Sequence, residues 1–333
     1  MAQGGEFDLI RRHFSRPVPA PFLGVGDDCA LLPIREGHQL AVSTDMLLEG
    51  RHFLPQSDPV DLGHKALAVN LSDLAAMGAR PLGCTLALGL PYVDDTWLQG
   101  FAQGFHALAD AAHCPLLGGD TTRSGQGMVL CVTVLGEVRP ELALRRDAAR
   151  VGDDVWVSGA LGAADIALRW LQGQLPDPSG RLAPLRSALE RPQPRLALGQ
   201  GLCGLAHAAI DISDGLLQDL GHVLAASGCA ARIWFDAIPV HPALQGLAPD
   251  LVQHAVLAGG DAYELCFTAP VGQRAHIEAL GQRLGVALTR IGSLEPGAGW
   301  QVLDADGRPM VVRQAGFDHF AASEQDAPPG VAP

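Results

Sequence analysis

Residues 67–81, LAVNLSDLAAMGARP, place a carboxylate, Asp73, inside an apolar run, and any fold that buries this stretch must give that charge a partner. Ala, Leu and Met favour a helix, and Gly78 offers its stop. On such a helix Ala66, Asn70, Asp73 and Met77 share one face, while Leu67, Leu71 and Leu74 share another. Burying Asp73 ionised and alone would be very costly, so it requires a cation, hydrogen-bond donors or an altered protonation state. Two readings compete: Ser72 as a helix cap with Asp73 in the favourable first turn, or Asp73 as a metal ligand.

The second gains because other acids recur in the same setting. Asp27 and Asp28 follow the small residues Gly24 and Gly26; Asp45 closes the alternating stretch LAVSTD after Ser43 and Thr44; Asp120 follows a double glycine; Asp211 and Asp214 sit in IDISDG. Each ends an apolar element beside Gly, Ser or Thr. One such Asp is ordinarily a cap or a turn residue, but seven in matching contexts strain that account. Hard divalent cations take several carboxylate and hydroxyl oxygens, and Mg²⁺ binds through carboxylates together with substrate phosphates. The chain has one lysine, Lys65 in GHKALA, so no Walker-type phosphate loop exists. A GxGxxG at 199–204 has no clear strand before it and is set aside. The histidines lack HxxxH spacing, and His52 is singled out only for its closeness to Asp45. Seven cysteines without a CxxC read as reduced thiols.

At 333 residues the chain exceeds one ordinary core, and 48% hydrophobic against 18% charged residues describes a globular protein. A net charge of −13 argues against a nucleic-acid or anionic-membrane surface. With no apolar run of membrane-spanning length, a soluble, cytoplasmic protein is expected. The patterning predicts a helix at 7–14, strands at 29–32 and from 40, a strand at 84–90, and a helix at 95–112 whose aromatic stripe belongs in the core. Over 114–125 a buried strand runs into the double glycine and Asp120, and another strand follows at 128–138. A second αβ region begins near 145–152, with 173–195 as a Pro-rich loop and a strand turning into a helix over 208–228. Domains are therefore drawn at 1–148 and 149–322, with 323–333 as a disordered tail.

Taken together, GEFDLI, GVGDDCALL, STDML, His52-Phe53, KALAVNLSDLAAMGA, GGDTT, IDISDGLLQDLGH, GG followed by YELCF, and GFDHF resemble the thiamine-monophosphate kinase family across almost the whole chain. That family belongs with aminoimidazole ribonucleotide synthetase and selenophosphate synthetase. The resemblance implies an α/β (α+β) two-domain fold of the aminoimidazole-ribonucleotide-synthetase type, with the N-terminal sheet pairing across a homodimer. It implies ATP as co-substrate, several Mg²⁺ ions, and transfer to thiamine monophosphate. Carried over by position, the metal ligands fall on Asp28, Ser43, Thr44, Asp45, Asp73, Asp120, Asp211 and Asp214; the ATP contacts on Gly119, Asp120, Arg146 and Ser213; the thiamine-phosphate contacts on His52, Asp261 and Phe317. No general base is implied. This chain departs from the family's usual GGEDYEL with GGDAYEL, which shortens the acid at 261 and replaces the next one by Ala262. Phe317 stands where relatives can carry a hydroxyl or indole, a change that stacking survives. The rivals are another enzyme of the wider group, a metal-dependent phosphatase, and a binding module without turnover.

Overall fold

A computed structural model describes residues 6–25, 29–177 and 179–317. The first part of the chain runs α1 (Glu6–His13), β1 (Gln39–Leu48), α2 (Pro59–Ala76), β2 (Arg80–Leu90), α3 (Asp95–Ala111), β3 (Leu116–Arg123) and β4 (Val129–Val138). Its sheet has the order β1-β4-β2-β3, antiparallel except for the β2/β3 pair that α3 connects. The second part runs β5 (Asp153–Ser158), α4 (Ala163–Leu171), α5 (Arg186–Glu190), α6 (Leu196–Leu202), β6 (Ala208–Asp211), α7 (Leu216–Ser227), β7 (Ala230–Trp234), α8 (Pro249–Leu257), β8 (Leu265–Pro270), α9 (Arg274–Leu284), β9 (Leu288–Glu295) and β10 (Gly299–Leu303). Its sheet has the order β10-β7-β9-β5-β8-β6, and only β10/β7 is parallel. The class is the expected α/β (α+β) one.

Helix α2 starts eight residues before the stretch that announced it. Asp58 is the cap, its carboxylate accepting from Val60 N at 2.8 Å and Asp61 N at 3.3 Å, with Pro59 behind it. Ser72 is therefore no cap: it is buried in the penultimate turn, and Asp73 sits near the helix C-terminus, where the macrodipole disfavours a negative charge. The two-faced helix also becomes one buried nearly all round, because α2 packs on α3, α6, β1, β4 and β6 at once. The α2/α3 crossing is close at Gly104, where an added Cβ would lie 1.8 Å from Val60 O. Phe101 and Phe105 of α3 are fully buried beside α2, as the aromatic stripe predicted, with Trp97 stacked on Phe101 at 5.2 Å between centroids.

The first core lies between α2, α3 and the inner face of the first sheet. Another cluster joins Ala75 and Ala76 to Leu198, Leu202, Ala209, Leu265 and Phe267, fastening α2 to the second sheet. The 29–32 strand does not form. Leu31 makes a lone antiparallel bridge to Leu23 and is 60% exposed, since four apolar residues stopped by Pro33 are too short to extend a ladder. The 173–195 stretch is less irregular than expected: it holds α5, and Leu182, Leu185 and Leu189 enter the second core. Gly199 and Gly201 lie within α6, not in a strand-to-helix turn. The tail from 323 lies outside the described residues, whose helices include none long and apolar enough to cross a membrane.

Candidate active site

Alternation along β1 sends Ala41, Ser43, Asp45 and Leu47 toward α2 and leaves Val42, Thr44, Met46 and Leu48 on the other, exposed face. Two side chains of α2 meet the inward set. Asn70, fully buried, donates through Nδ2 to Ala66 O at 3.0 Å and accepts from Asp45 N at 2.9 Å, which fixes β1 against the helix. One turn on, Asp73 accepts from Ser43 Oγ at 2.6 Å. β6 ends on Asp211, and the turn after it carries Ser213 and Asp214. A cleft of about 880 Å³ opens here, with Asp45, Asp73, Asp211, Ser213 and Asp214 on its wall and His52, Asp261 and Phe317 also lining it.

The carboxylates sense one another. Burial, then the charges of Asp73 and Asp214, pushes Asp45 up to about 7. Burial also raises Asp73, against the Ser43 hydrogen bond and the nearby Arg146 charge, and it raises Asp211, aided by Asp73. Such a wall, assembled from β1, α2 and the β6–α7 turn, is stable when charged only if cations join it. Among the described residues no three carboxylate, His or Cys groups close round a single ion. This donor set fits an ion that completes its shell with substrate phosphates and water, as Mg²⁺ does, and does not fit an all-protein cage.

Other expected residues fall elsewhere. Arg146 and Ser43 line a neighbouring cavity of about 420 Å³ that shares Asp73 with the wall. The Thr44 hydroxyl points to the opposite sheet face and bonds Thr133 Oγ1 at 2.8 Å. Gly119 and Asp120 are on the edge strand β3 and line a separate cavity of about 650 Å³. Register places Gly119 level with Asp45 through Val132 and Leu86, three strand spacings away, or roughly 14 Å. Gly119 has a backbone reason of its own: φ is 156°, and a Cβ would lie 1.8 Å from Leu86 O. β3 is buried at Leu116 and Leu117 and largely exposed from Gly119 on, because it ends the sheet. Asp28 lies outside the described residues.

The far wall holds side chains that residue patterns did not single out for the site. The Lys65 ammonium meets Asp261 Oδ1 at 2.9 Å. Arg51 stacks over the Phe317 ring at 5.1 Å from its centroid. The Phe317 N–H donates to Asp214 O at 2.9 Å, so the end of the described chain is tied to the acidic turn. Leu48 N donates to His52 Nδ1 at 3.0 Å. Asp219 accepts from Asp214 N and Gly215 N, both at 3.1 Å, and holds that turn from the first turns of α7. The signal for Lys65 was present, as a lone lysine in a chain whose other strong cations are all arginine.

Residues 26–138, which carry the first sheet with Asp45 and Asp73, match the family model described as AIR synthase related protein, N-terminal domain. The chain is 44% identical to the thiamine-monophosphate kinase of Escherichia coli strain K12 over 322 residues, covering 95% of this chain and 98% of that one. A crystal structure of thiamine-monophosphate kinase from Stenotrophomonas maltophilia K279a superposes with a TM-score of 0.81 at 48% identity, covering 87% of this chain and 93% of that one. A structure of AaThiL complexed with AMPPCP and TMP superposes with a TM-score of 0.75 at 30% identity, covering 86% and 89%. This chain belongs to the thiamine-monophosphate kinase family, and it is an enzyme of the kinase class.

Proposed function

We propose that this protein transfers the γ-phosphoryl group of ATP to the phosphate of thiamine monophosphate, giving ADP and thiamine diphosphate by direct in-line displacement. The observation that carries the reading is the convergence of Asp45, Asp73, Asp211 and Asp214 on one cleft that His52, Asp261 and Phe317 also line. The relative bound to AMPPCP and TMP supports the same pair of ligands. An oxygen of the acceptor phosphate attacks the γ-phosphorus while the bond to the β–γ bridging oxygen breaks. That acceptor has a second pKa near 6, so it arrives already deprotonated and needs no general base.

The difficulty is bringing two polyanions together, and catalysis of phosphoryl transfer is mostly positioning and charge neutralisation. Asp45, Asp73, Asp211 and Asp214 would hold Mg²⁺, with Ser43 orienting Asp73; when bound, the metal neutralises phosphate charge and aligns donor with acceptor. We assign Arg146, beside Asp73, and Ser213 to the nucleotide. Asp28, Thr44, Gly119 and Asp120 are carried by the resemblance: Thr44 through its position between Ser43 and Asp45, Gly119 and Asp120 from the cavity next to α1. Phe317, backed by Arg51, offers a face for the thiamine rings. We also propose a cytoplasmic homodimer formed through the outer face of the first sheet. There Leu40, Val42, Met46 and Leu48 are all more than a third exposed along edge strand β1, an apolar row that a monomer would leave in water.

The test is ADP release measured with thiamine, thiamine monophosphate and aminoimidazole precursors in turn. ADP formation that requires thiamine monophosphate supports the reading, and ADP release indifferent to it sinks it. In the same assay Asp73→Asn should lose at least 100-fold in kcat, and near-wild-type turnover at saturating Mg²⁺ would refute the metal role.

A further inference from the structure

We propose that Lys65 and Asp261 form a charge pair that selects the substrate by exchanging partners with it. The cleft then prefers a molecule carrying both a cation and a phosphate over the same cation without the phosphate. The inference rests on the kinase reading above and names what discriminates thiamine monophosphate from thiamine. Lys65 is 4% exposed on α2, and its amine ends where the main cleft meets a small adjoining cavity lined by Phe53, Leu54, Leu62, Leu168 and Leu189. Arg51, His52 and Glu190 line the same small cavity, and the anion in contact with the buried ammonium is Asp261 at 2.9 Å.

Asp261 is held in place at some cost. It and Tyr263 both adopt left-handed backbone, with φ of 60° and 48°, although neither is glycine. The strain is kept by straps to the acidic turn: Asp261 N donates to Ser213 O and Tyr263 N to Ile212 O, each at 2.8 Å. The pair is thus built rigidly onto the loop that carries Asp211 and Asp214.

A zwitterion can enter such a site without leaving a charge unmatched. Its thiazolium takes Asp261 as the Lys65 contact loosens, and its phosphate takes the ammonium; lysine, with three donors on a flexible stem, can serve both during the exchange. A cation lacking the phosphate competes for Asp261 but strands Lys65, and breaking a buried pair from one side is strongly unfavourable.

The experiment measures dissociation constants of thiamine monophosphate and thiamine by calorimetry, with Mg²⁺ and a non-hydrolysable ATP analogue present. Lys65→Met should narrow the wild-type preference for thiamine monophosphate at least tenfold. Asp261→Asn should widen it, because the thiazolium of both ligands loses the same counter-ion, whereas only the phosphate gains an ammonium without an internal competitor. A preference unchanged within twofold in Lys65→Met, with melting temperature and analogue affinity at wild-type values, overturns the inference and leaves the kinase reading standing. If Lys65→Met fails to fold, Asp261→Asn decides: a narrowed or unchanged preference overturns the inference. A wild-type chain that binds neither ligand removes both readings together.

Discussion

Asp45 shows what the acidic wall costs the folded chain. Its carboxyl ionises near 3.8 when unfolded and about 7 when folded, because burial and the charges of Asp73 and Asp214 oppose the anion. An acid with a raised folded pKa stabilises the fold while protonated, so its contribution shrinks as pH rises from about 4 through about 7. At pH 8 without divalent ions, Asp45→Asn should therefore be more stable than wild type by on the order of 1–2 kcal/mol in urea unfolding. Adding Mg²⁺ and ATP should stabilise wild type more than the variant; equal or lower stability of Asp45→Asn in chelator would contradict this account. Residue patterns could nominate Asp45, Asp73, Asp211 and Asp214 because acids set beside Ser or Gly in apolar runs are anomalous wherever they fold, although β1 runs on through Asp45 to Leu48 instead of ending there. The patterns could not pair Lys65 with Asp261, since the two are brought together only by the packing of α2 against the 259–264 loop. Nor could they see that the Thr44 hydroxyl faces away, which depends on the side of β1 that α2 covers.

Among the elements, β4 ends in an ionic clamp with a measurable signature. Glu137 is 1% exposed, and burial alone would raise its pKa; the Arg35 N–H and the guanidinium groups of Arg80 and Arg35 outweigh that and hold it down to about 2. Arg35 N donates to Oε2 and Arg80 Nε to Oε1, both at 3.0 Å, tying the 33–38 turn and the start of β2 to β4. Because the folded pKa lies below the ordinary 4.5, the clamp is fully present above about pH 4.5 and is lost as pH falls through about 2. Glu137→Gln should lower stability by about 1–3 kcal/mol at pH 7 and flatten the acid limb of stability against pH between those values. An unchanged acid limb would show that the clamp is not an ionic one. Helices and strands of this part were legible where periodicity ran long, as in α3 and β4. The start of α2 was missed because Asp58-Pro59, a strong opening signal, lies well upstream of the apolar run that drew attention to the helix. The strand expected at 29–32 failed for lack of a partner, which no local pattern reports.

For the whole molecule, the exposed apolar row on β1 predicts association. Met46→Glu, on the outer face and 55% exposed, should shift the protein from dimer toward monomer in sedimentation while leaving the fold intact by circular dichroism. A wild-type chain that sediments as a monomer at micromolar concentration would remove the dimer proposal. The sequence by itself determined the class of fold, the run of most elements and the identity of the acids, because alternation, helical spacing and stranded carboxylates are local consequences of the chain. Tertiary structure alone decided which acids share a cavity, that Gly119 and Asp120 stand three strands from Asp45, and that the one lysine is matched to Asp261. The reason is physical: which side of a strand is inner, and which loop meets which helix, is settled by the two sheets closing on α2 from different directions.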